Sequence, residues 1–318
     1  MTIDLRWCRI TASGLLQFDG PDARAFLQGQ LTNDVQALSA ARSQYSGYCT
    51  AKGRLLACLL LWQPGQRDGA VVMMLPRELC EPIRKRLSMY ILRAKVKATD
   101  ISAEQVFFGV TGTDATAWIA ARGVVPAADH DVIHSNGITL VKLPLNRYLI
   151  IAPAALAATM EAALTQSIAA APESLWSMLD IEAGIPIVVA ATQEQFVPQM
   201  VNFDFIGAVS FDKGCYPGQE IVARTHYLGK PKQRMVRAQI SSPDVADASD
   251  VPRAGDKLYT AAFGDQASGV IVSAVASSEH HHEVLAVVQT SSIDGAHVHW
   301  KTVDGPALKI VALPYAVK

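Results

Sequence analysis

The chain has 318 residues, of which 50% are hydrophobic and 18% charged. That is apolar material for about two domains, and it excludes a mainly disordered chain. Its 28 basic and 29 acidic residues nearly cancel, which excludes a globally basic nucleic-acid binder but leaves local patches open. Five cysteines without a C-x-x-C pair do not make a disulfide framework. The longest apolar run, 55–62, falls far short of the ~20 residues of a membrane-spanning helix. Met1–Ile10 mixes Asp4, Arg6 and Arg9 into its apolar residues, unlike a signal peptide. A soluble cytoplasmic protein with no membrane partner is expected.

In chain order, Gly20-Pro21-Asp22 opens a first helix with Ala23, Phe26 and Leu27 as its apolar stripe and Gly29 as its stop. Leu55–Trp62 reads as a strand buried on both faces, with Val71–Leu75 as its neighbour. Pro76 opens a helix with Leu79, Ile83, Leu87 and Ile91 at spacing four, opposite Arg77, Arg84, Lys85 and Arg86. Strands are expected at 106–110, 138–143 and 148–152, and helices at 114–121, 154–171 and 172–184. Strands and helices alternate without a strict βαβ rhythm, which favours α+β over a doubly wound sheet. After Gln233 come short β-type runs at 234–240, 269–275, 284–289, 298–300 and 308–311, as in a small barrel or sandwich. A body over 1–233 and an all-β domain over 234–318 are therefore expected, with a loop or linker at 241–250.

The most informative stretch is Lys213-Gly214-Cys215-Tyr216-Pro217-Gly218-Gln219-Glu220. Gly214 permits backbone shapes that a Cβ forbids, and Pro217-Gly218 reads as a turn. Residues 219–224 begin a helix or a strand. A cysteine beside a lysine can have its thiol acidified, since nearby positive charge favours the thiolate. It can equally be a small apolar residue in a tight bend. The residues alone leave both readings open.

This octapeptide resembles the K-G-C-Y-x-G-Q-E motif of the YgfZ family, folate-binding proteins that support iron–sulfur enzymes and certain tRNA modifications. Further matches lie at 26–35 (FLQGQLTNDV), 48–54 (YCTAKGR), 181–186 (IEAGIP), 196–199 (FVPQ) and 313–315 (LPY). The wider relatives are the T proteins, the aminomethyltransferases of the glycine cleavage system. The resemblance implies an aminomethyltransferase-like α+β fold: two intertwined α/β subdomains plus a C-terminal β-barrel, arranged as a ring around tetrahydrofolate or a one-carbon derivative of it. It implies a folate-binding accessory protein for assembly or repair of iron–sulfur enzymes. Its partners would be iron–sulfur proteins or their assembly machinery, met transiently, and tRNA or tRNA-modifying enzymes.

The resemblance also assigns residues. Glu182 matches the T-protein glutamate that accepts hydrogen bonds from the pterin, where a carboxylate suits the two coplanar donors of an aminopyrimidine edge. By its residues alone, Glu182 is equally a helix-end acid reaching water. Trp176 matches the residue lying against folate in the family, with plain core packing as the alternative. Ser13 stands where the family has a second tryptophan, and nearby Trp7 is not assigned that role. Lys52 and Arg54 either meet the folate glutamate tail or are simply solvated. Gln30, Asp34 and Tyr216 are further folate-side candidates, and Arg224 is one for an anionic group. Cys215 is the expected functional thiol, with Lys213 as its electrostatic aid. Ala57 and Cys58 occupy the positions of paired T-protein aspartates, so aminomethyl transfer is expected to be lost while the pocket is kept.

No metal site is expected. His280–His282 read as a solvated loop, and His297 and His299 lack a third ligand. The basic runs at 77–97 and 213–237 could serve nucleic acid, but interleaved aromatics look scarce.

Overall fold

The structure is a computed structural model describing residues 3–65, 69–123, 125–229, 231–241, 251–293 and 297–317. The expected linker at 241–250 lies outside these residues except for Ser241. The chain divides into two compact units, Met1–Ser46 with Leu59–Trp176 and Gly47–Cys58 with Ser177–Lys318. The boundary expected at residue 233 falls inside the second unit, where the strand Gln233–Ser241 begins.

The first unit is built on two sheets. One orders the strands Ala169–Ala170, Arg6–Ile10, Gln105–Thr111, Arg147–Pro153, Ile138–Leu143 and Val132–Ser135 side by side. The other orders Gln44–Cys49, Leu55–Trp62, Val71–Pro76, Ser13–Asp19 and Lys97–Asp100. The chain leaves the first unit and re-enters it within Gln44–Cys49 and Leu55–Trp62. Successive side chains of a strand face opposite ways, and the packing follows that alternation. Cys8, Phe107, Leu149 and Ile151 meet Leu15, Leu60, Trp62, Val72 and Met74 in one core. Trp7, Phe108, Val110, Tyr148 and Ile150 form a second core with Ile119 and Leu164, from the helices Ala115–Ala120 and Ala157–Thr165.

The helix Arg77–Ser88 buries Leu79, Cys80, Ile83 and Leu87, as its spacing predicts, but stops before Ile91. On its outer side Glu81 bonds Arg84 at 2.8 Å and pairs with Lys85 at 3.2 Å. These two cations hold its carboxyl down to about 2. The expected helix over 154–171 is cut short: a 3-10 turn precedes Ala157–Thr165, and Ala169–Ala170 pairs in parallel with Arg6–Ile10. Alanine's helix propensity yields there to sheet pairing.

The all-β tail of the second unit is one six-stranded sheet. Its order is His299–Trp300, Lys257–Tyr259, Gly269–Ser278, His281–Gln289, Gln233–Ser241 and Leu308–Val311. It curls until its edges meet at a His299–Ala307 bridge, with Trp300 N donating to Pro306 O at 2.9 Å and Leu308 N to Val298 O at 2.8 Å. Val236, Ala238, Ile240, Leu258, Ile271, Val284, Ala286 and Trp300 fill the interior. The histidine run is not all loop. His281 and His282 begin a strand, where His281 is exposed and His282 buried. Alternation along the strand parts their side chains, so they do not act as a pair. Among the described residues, no three metal-ligating side chains gather, and no helix is long and apolar enough to cross a membrane.

Candidate functional site

Five of the six sequence motifs fall in the second unit, three of them packed together and two joined as a pair. The 50–54 turn is tight: Gly53 N donates to Thr50 O at 2.9 Å and Thr50 N to Arg54 O at 2.8 Å. Against it lies the 213–220 motif. Gly218 sits at φ +82, in the left-handed region, and a Cβ there would lie 2.5 Å from the Gly53 backbone and from Thr50 O. Gly53 sits at φ +69, and a Cβ on it would lie 3.1 Å from Gly218 O. The two motifs meet backbone to backbone, which only a pair of glycines allows.

The 196–199 motif braces this contact. Phe196 O accepts from Leu55 N at 2.8 Å, next to the turn. Gln199 Nε2 donates to Val222 O at 2.7 Å, in the helix Gln219–Tyr227. Arg54 Nη1 donates to Gln195 O at 2.7 Å, so this cation is used structurally and its expected role toward a folate tail is not needed to explain it. Lys52 is exposed. The segment 219–224, left open by sequence, is helical, with Gly218 at its N-cap and Glu220 in its first turn.

Within the loop, Tyr216 and Cys215 part company. Tyr216 is buried, and burial raises its hydroxyl pKa with a further contribution from Cys49. Lys213 Nζ lies 5.2 Å from the centre of the Tyr216 ring. Cys215 is exposed, whereas Cys8, Cys49 and Cys80 are buried. The loop is thus anchored at Tyr216 and Gly218, with the sulfur outward. An exposed thiol on a fixed loop can act as nucleophile or soft ligand.

Ala57 and Cys58 lie on Leu55–Trp62, which enters from that same turn. Ala57 is fully buried. Burial pushes the Cys58 thiol up to about 12, opposed in part by a backbone hydrogen bond with Val188. The Cys58 residue as a whole keeps some surface contact. The sulfur itself sits in a desolvated setting, and it stays protonated near neutrality.

Glu182 ends the helix Ser174–Glu182 and is held by a residue that sequence reading missed. Arg237 Nη2 donates to Glu182 Oε1 at 3.2 Å, and Arg237 Nε donates to Glu283 Oε2 at 3.0 Å. Gln239 Nε2 donates to the other Glu283 oxygen at 2.6 Å. Arg237 and Gln239 share one strand face, and Gln239 stands opposite Glu283 in register. The guanidinium thereby orients the Glu182 carboxylate while leaving acceptor sites on it. No local signal marks Arg237, because its partner lies 55 residues away in sequence. Gly184 and Tyr315 join two more motifs, with Tyr315 Oη donating to Gly184 O at 2.8 Å.

Gln30, Asp34 and Trp176 belong to the first unit. Asp34 Oδ1 accepts from Gln36 N at 3.0 Å, a turn-forming bond. Gln30 Oε1 is buried without a partner among the described residues. Trp176 is 8% exposed and packs into the inter-sheet core. A Cβ on Gly109 would lie 2.3 Å from its ring, and the Arg147 guanidinium lies 5.0 Å from the ring centre. Most of its surface is therefore spent on packing. Trp7 packs on Phe108 at 5.9 Å in the helix-side core, and Ser13 opens a strand.

Arg224 is exposed and lines a cavity of about 490 Å³ with Ile221, Thr225, Leu228, Lys232 and Gln289.

No protein-family model matches the chain. The structure is similar to that of glycine cleavage system aminomethyltransferase T from Bartonella henselae, with a TM-score of 0.74 and 16% identity, covering 98% of this chain and 86% of that one. That likeness establishes an aminomethyltransferase-like fold. The tRNA-modifying protein YgfZ of Sodalis glossinidius is 32% identical over 308 residues, 95% of this chain and 90% of the relative. The protein of the same name from Photorhabdus laumondii is 31% identical over 323 residues, 99% of this chain and 94% of the relative. Identity of that level over nearly the whole of both chains shows that this chain belongs to the YgfZ family.

Proposed function

We propose that the protein is a cytoplasmic, tetrahydrofolate-binding accessory factor for iron–sulfur enzymes, through which it affects tRNA modification, with Cys215 as its functional thiol. The observation that carries this reading is the Gly53–Gly218 contact. It fixes a loop whose tyrosine points in and whose cysteine points out. Conformational entropy is spent to hold one sulfur at the surface, which a merely structural cysteine does not need. Lys213, two residues earlier, supplies positive charge in the same loop.

The folate fits the acceptor chemistry at Glu182. A carboxylate oriented by Arg237 suits the paired coplanar donors of an aminopyrimidine edge. Folate supplies one-carbon chemistry when bound, and Glu182 would hold and orient it. Aminomethyl transfer is disfavoured, because neither Ala57 nor the neutral Cys58 thiol can replace a carboxylate. The iron–sulfur protein would be a transient partner reached through Cys215.

Tetrahydrofolate titration, followed by tryptophan fluorescence, tests the folate half of the proposal. Glu182→Ala is expected to weaken binding by about tenfold to a hundredfold, the worth of one or two charge-assisted hydrogen bonds. The fold should persist, since Arg237 keeps Glu283. Equal affinity in both proteins would remove Glu182 from the site. Complementation tests the thiol half. In a strain lacking the native protein, Cys215→Ser should retain folate affinity and fail to restore iron–sulfur enzyme activity. Full rescue would overturn the role of the sulfur.

A further inference from the structure

Within the first unit, a cavity of about 440 Å³ opens at one end of the inter-sheet core. Its floor is apolar, because Leu15, Trp62, Val72, Ile101 and Ile151 all belong to that core. Its wall is not. Side chains alternate along a strand, so Gln17 faces the way Leu15 does, Thr139 the way Val141 does, and Gln105 the way Phe107 does. Inward positions that would complete the core are thus hydrogen-bonding side chains, and all three line the cavity. Strand register brings the parts together. Gln17, Val72 and Trp62 stand side by side across one sheet, and Thr139 stands beside Ile151 in the other.

The wall offers a defined set of donors and acceptors. Trp62 is 2% exposed, yet its indole N–H makes no hydrogen bond among the described residues and is not sealed from solvent. The surface it keeps is that of the cavity it lines, so this donor takes its acceptor from whatever fills the cavity. Thr139 is a second donor. His134, its cross-strand neighbour, accepts from Gly65 N at Nε2 at 3.2 Å, so its proton sits on Nδ1 and goes to Thr139 Oγ1 at 3.0 Å. Burial lowers the pKa of this imidazole, which suits the neutral form. The Thr139 hydroxyl keeps its own proton to donate. Gln17 Nε2 donates to Asp19 Oδ2 at 2.7 Å, which leaves the Gln17 carbonyl as an acceptor. Among the described residues lining the cavity, Glu104 is the one carboxylate and none is Lys or Arg. Glu104 is exposed and has no ion pair among the described residues.

We infer that this cavity binds a small organic amine with a flat apolar body and an oxygen at its far end. The body lies on Trp62, Val72 and Ile151, the oxygen accepts from Trp62 and Thr139 at the floor, and the ammonium meets Glu104 at the mouth. An anion would find a carboxylate and no cation there. None of the lining residues is a folate candidate, and the inference rests on neither folate binding nor the Cys215 thiol.

Tyramine is the probe, with a phenol oxygen at one end and an ammonium at the other. Calorimetric titration at neutral pH should give a Kd below about 1 mM. Phenethylamine lacks the oxygen and should bind about tenfold more weakly, since the Trp62 donor is then covered without an acceptor. Para-ethylphenol lacks the ammonium and should lose up to about fivefold, the scale of an exposed ion pair. Para-hydroxyphenylacetate, an anion, should bind more weakly still. Trp62→Phe keeps a ring and removes the N–H. It should weaken tyramine about tenfold and leave phenethylamine unmoved, a split that a merely disturbed wall would not give. Glu104→Gln, at an exposed position that folding does not depend on, should erase the preference for tyramine over para-ethylphenol. In a nitrogen-15 spectrum, the indole signal missing from Trp62→Phe should move when tyramine is added to the wild type. No binding at about 10 mM tyramine, equal affinity for phenethylamine, or equal affinity for the anion would overturn the inference. Displacement of tyramine by tetrahydrofolate would overturn it too, by making the cavity part of the folate site.

Discussion

The sulfurs on the two strands around the 50–54 turn and the sulfur on the loop docked against it make the sharpest contrast in the molecule. Cys49 and Cys58 sit on Gln44–Cys49 and Leu55–Trp62, and burial raises both thiols. Cys215 sits on the loop whose Gly218 touches that turn, and it faces solvent. The same element is inert in one place and available in the other. Environment decides its chemistry: a desolvated sulfur keeps its proton, and an exposed one is open to reagents and soft ligands.

The largest expected effect breaks the scaffold of this contrast. Gly218→Ala places a Cβ at φ +82 and 2.5 Å from the Gly53 backbone. It should cost about 3 kcal/mol and lower the melting temperature by several degrees. An unchanged melting curve would show that the loop is not held there.

Alkaline titration probes the buried side. A thiol raised from 9.0 to about 12 stays protonated in the folded chain after it ionises in the unfolded one. The folded state then binds more protons, so stability is intact below about pH 9 and falls as pH rises toward 12. Removing this thiol in Cys58→Ala should make that fall shallower by about 1 kcal/mol per pH unit. Parallel stability profiles for the two proteins would show that Cys58 is already solvated.

Thiol counting compares both sides at once. With a disulfide reagent at neutral pH, the native protein should show one fast thiol, and all five should react in denaturant. Cys215→Ser should abolish the fast phase. The smallest effect is on stability itself: Cys215→Ser, at an exposed position, should shift unfolding by less than about 0.5 kcal/mol. A larger loss would make the loop sulfur a packing group.

Legibility in the sequence followed the range of the interactions. Leu55–Trp62 and Ile138–Leu143 were readable to the residue, because an apolar run reports burial locally. Arg6–Ile10, Ser13–Asp19 and Gln44–Cys49 were not predicted, since mixed polar and apolar strands acquire their identity from partners far along the chain. At the candidate site the octapeptide stood out by itself. Arg237 did not, because its pairing with Glu182 exists only once segments 55 residues apart meet.

By itself, the order of residues determined where backbone freedom lies: glycines at 53 and 218, a proline before the second of them, and a cysteine between. It also determined that no carboxylate stands at 57 or 58, where the order of residues places Ala57 and Cys58. The tertiary structure decided what these residues face. It set Gly218 on Gly53, turned Tyr216 inward and Cys215 outward, and paired Arg237 with Glu182. Covalent order sets which conformations are allowed, whereas burial, charge pairing and exposure are properties of neighbours in space.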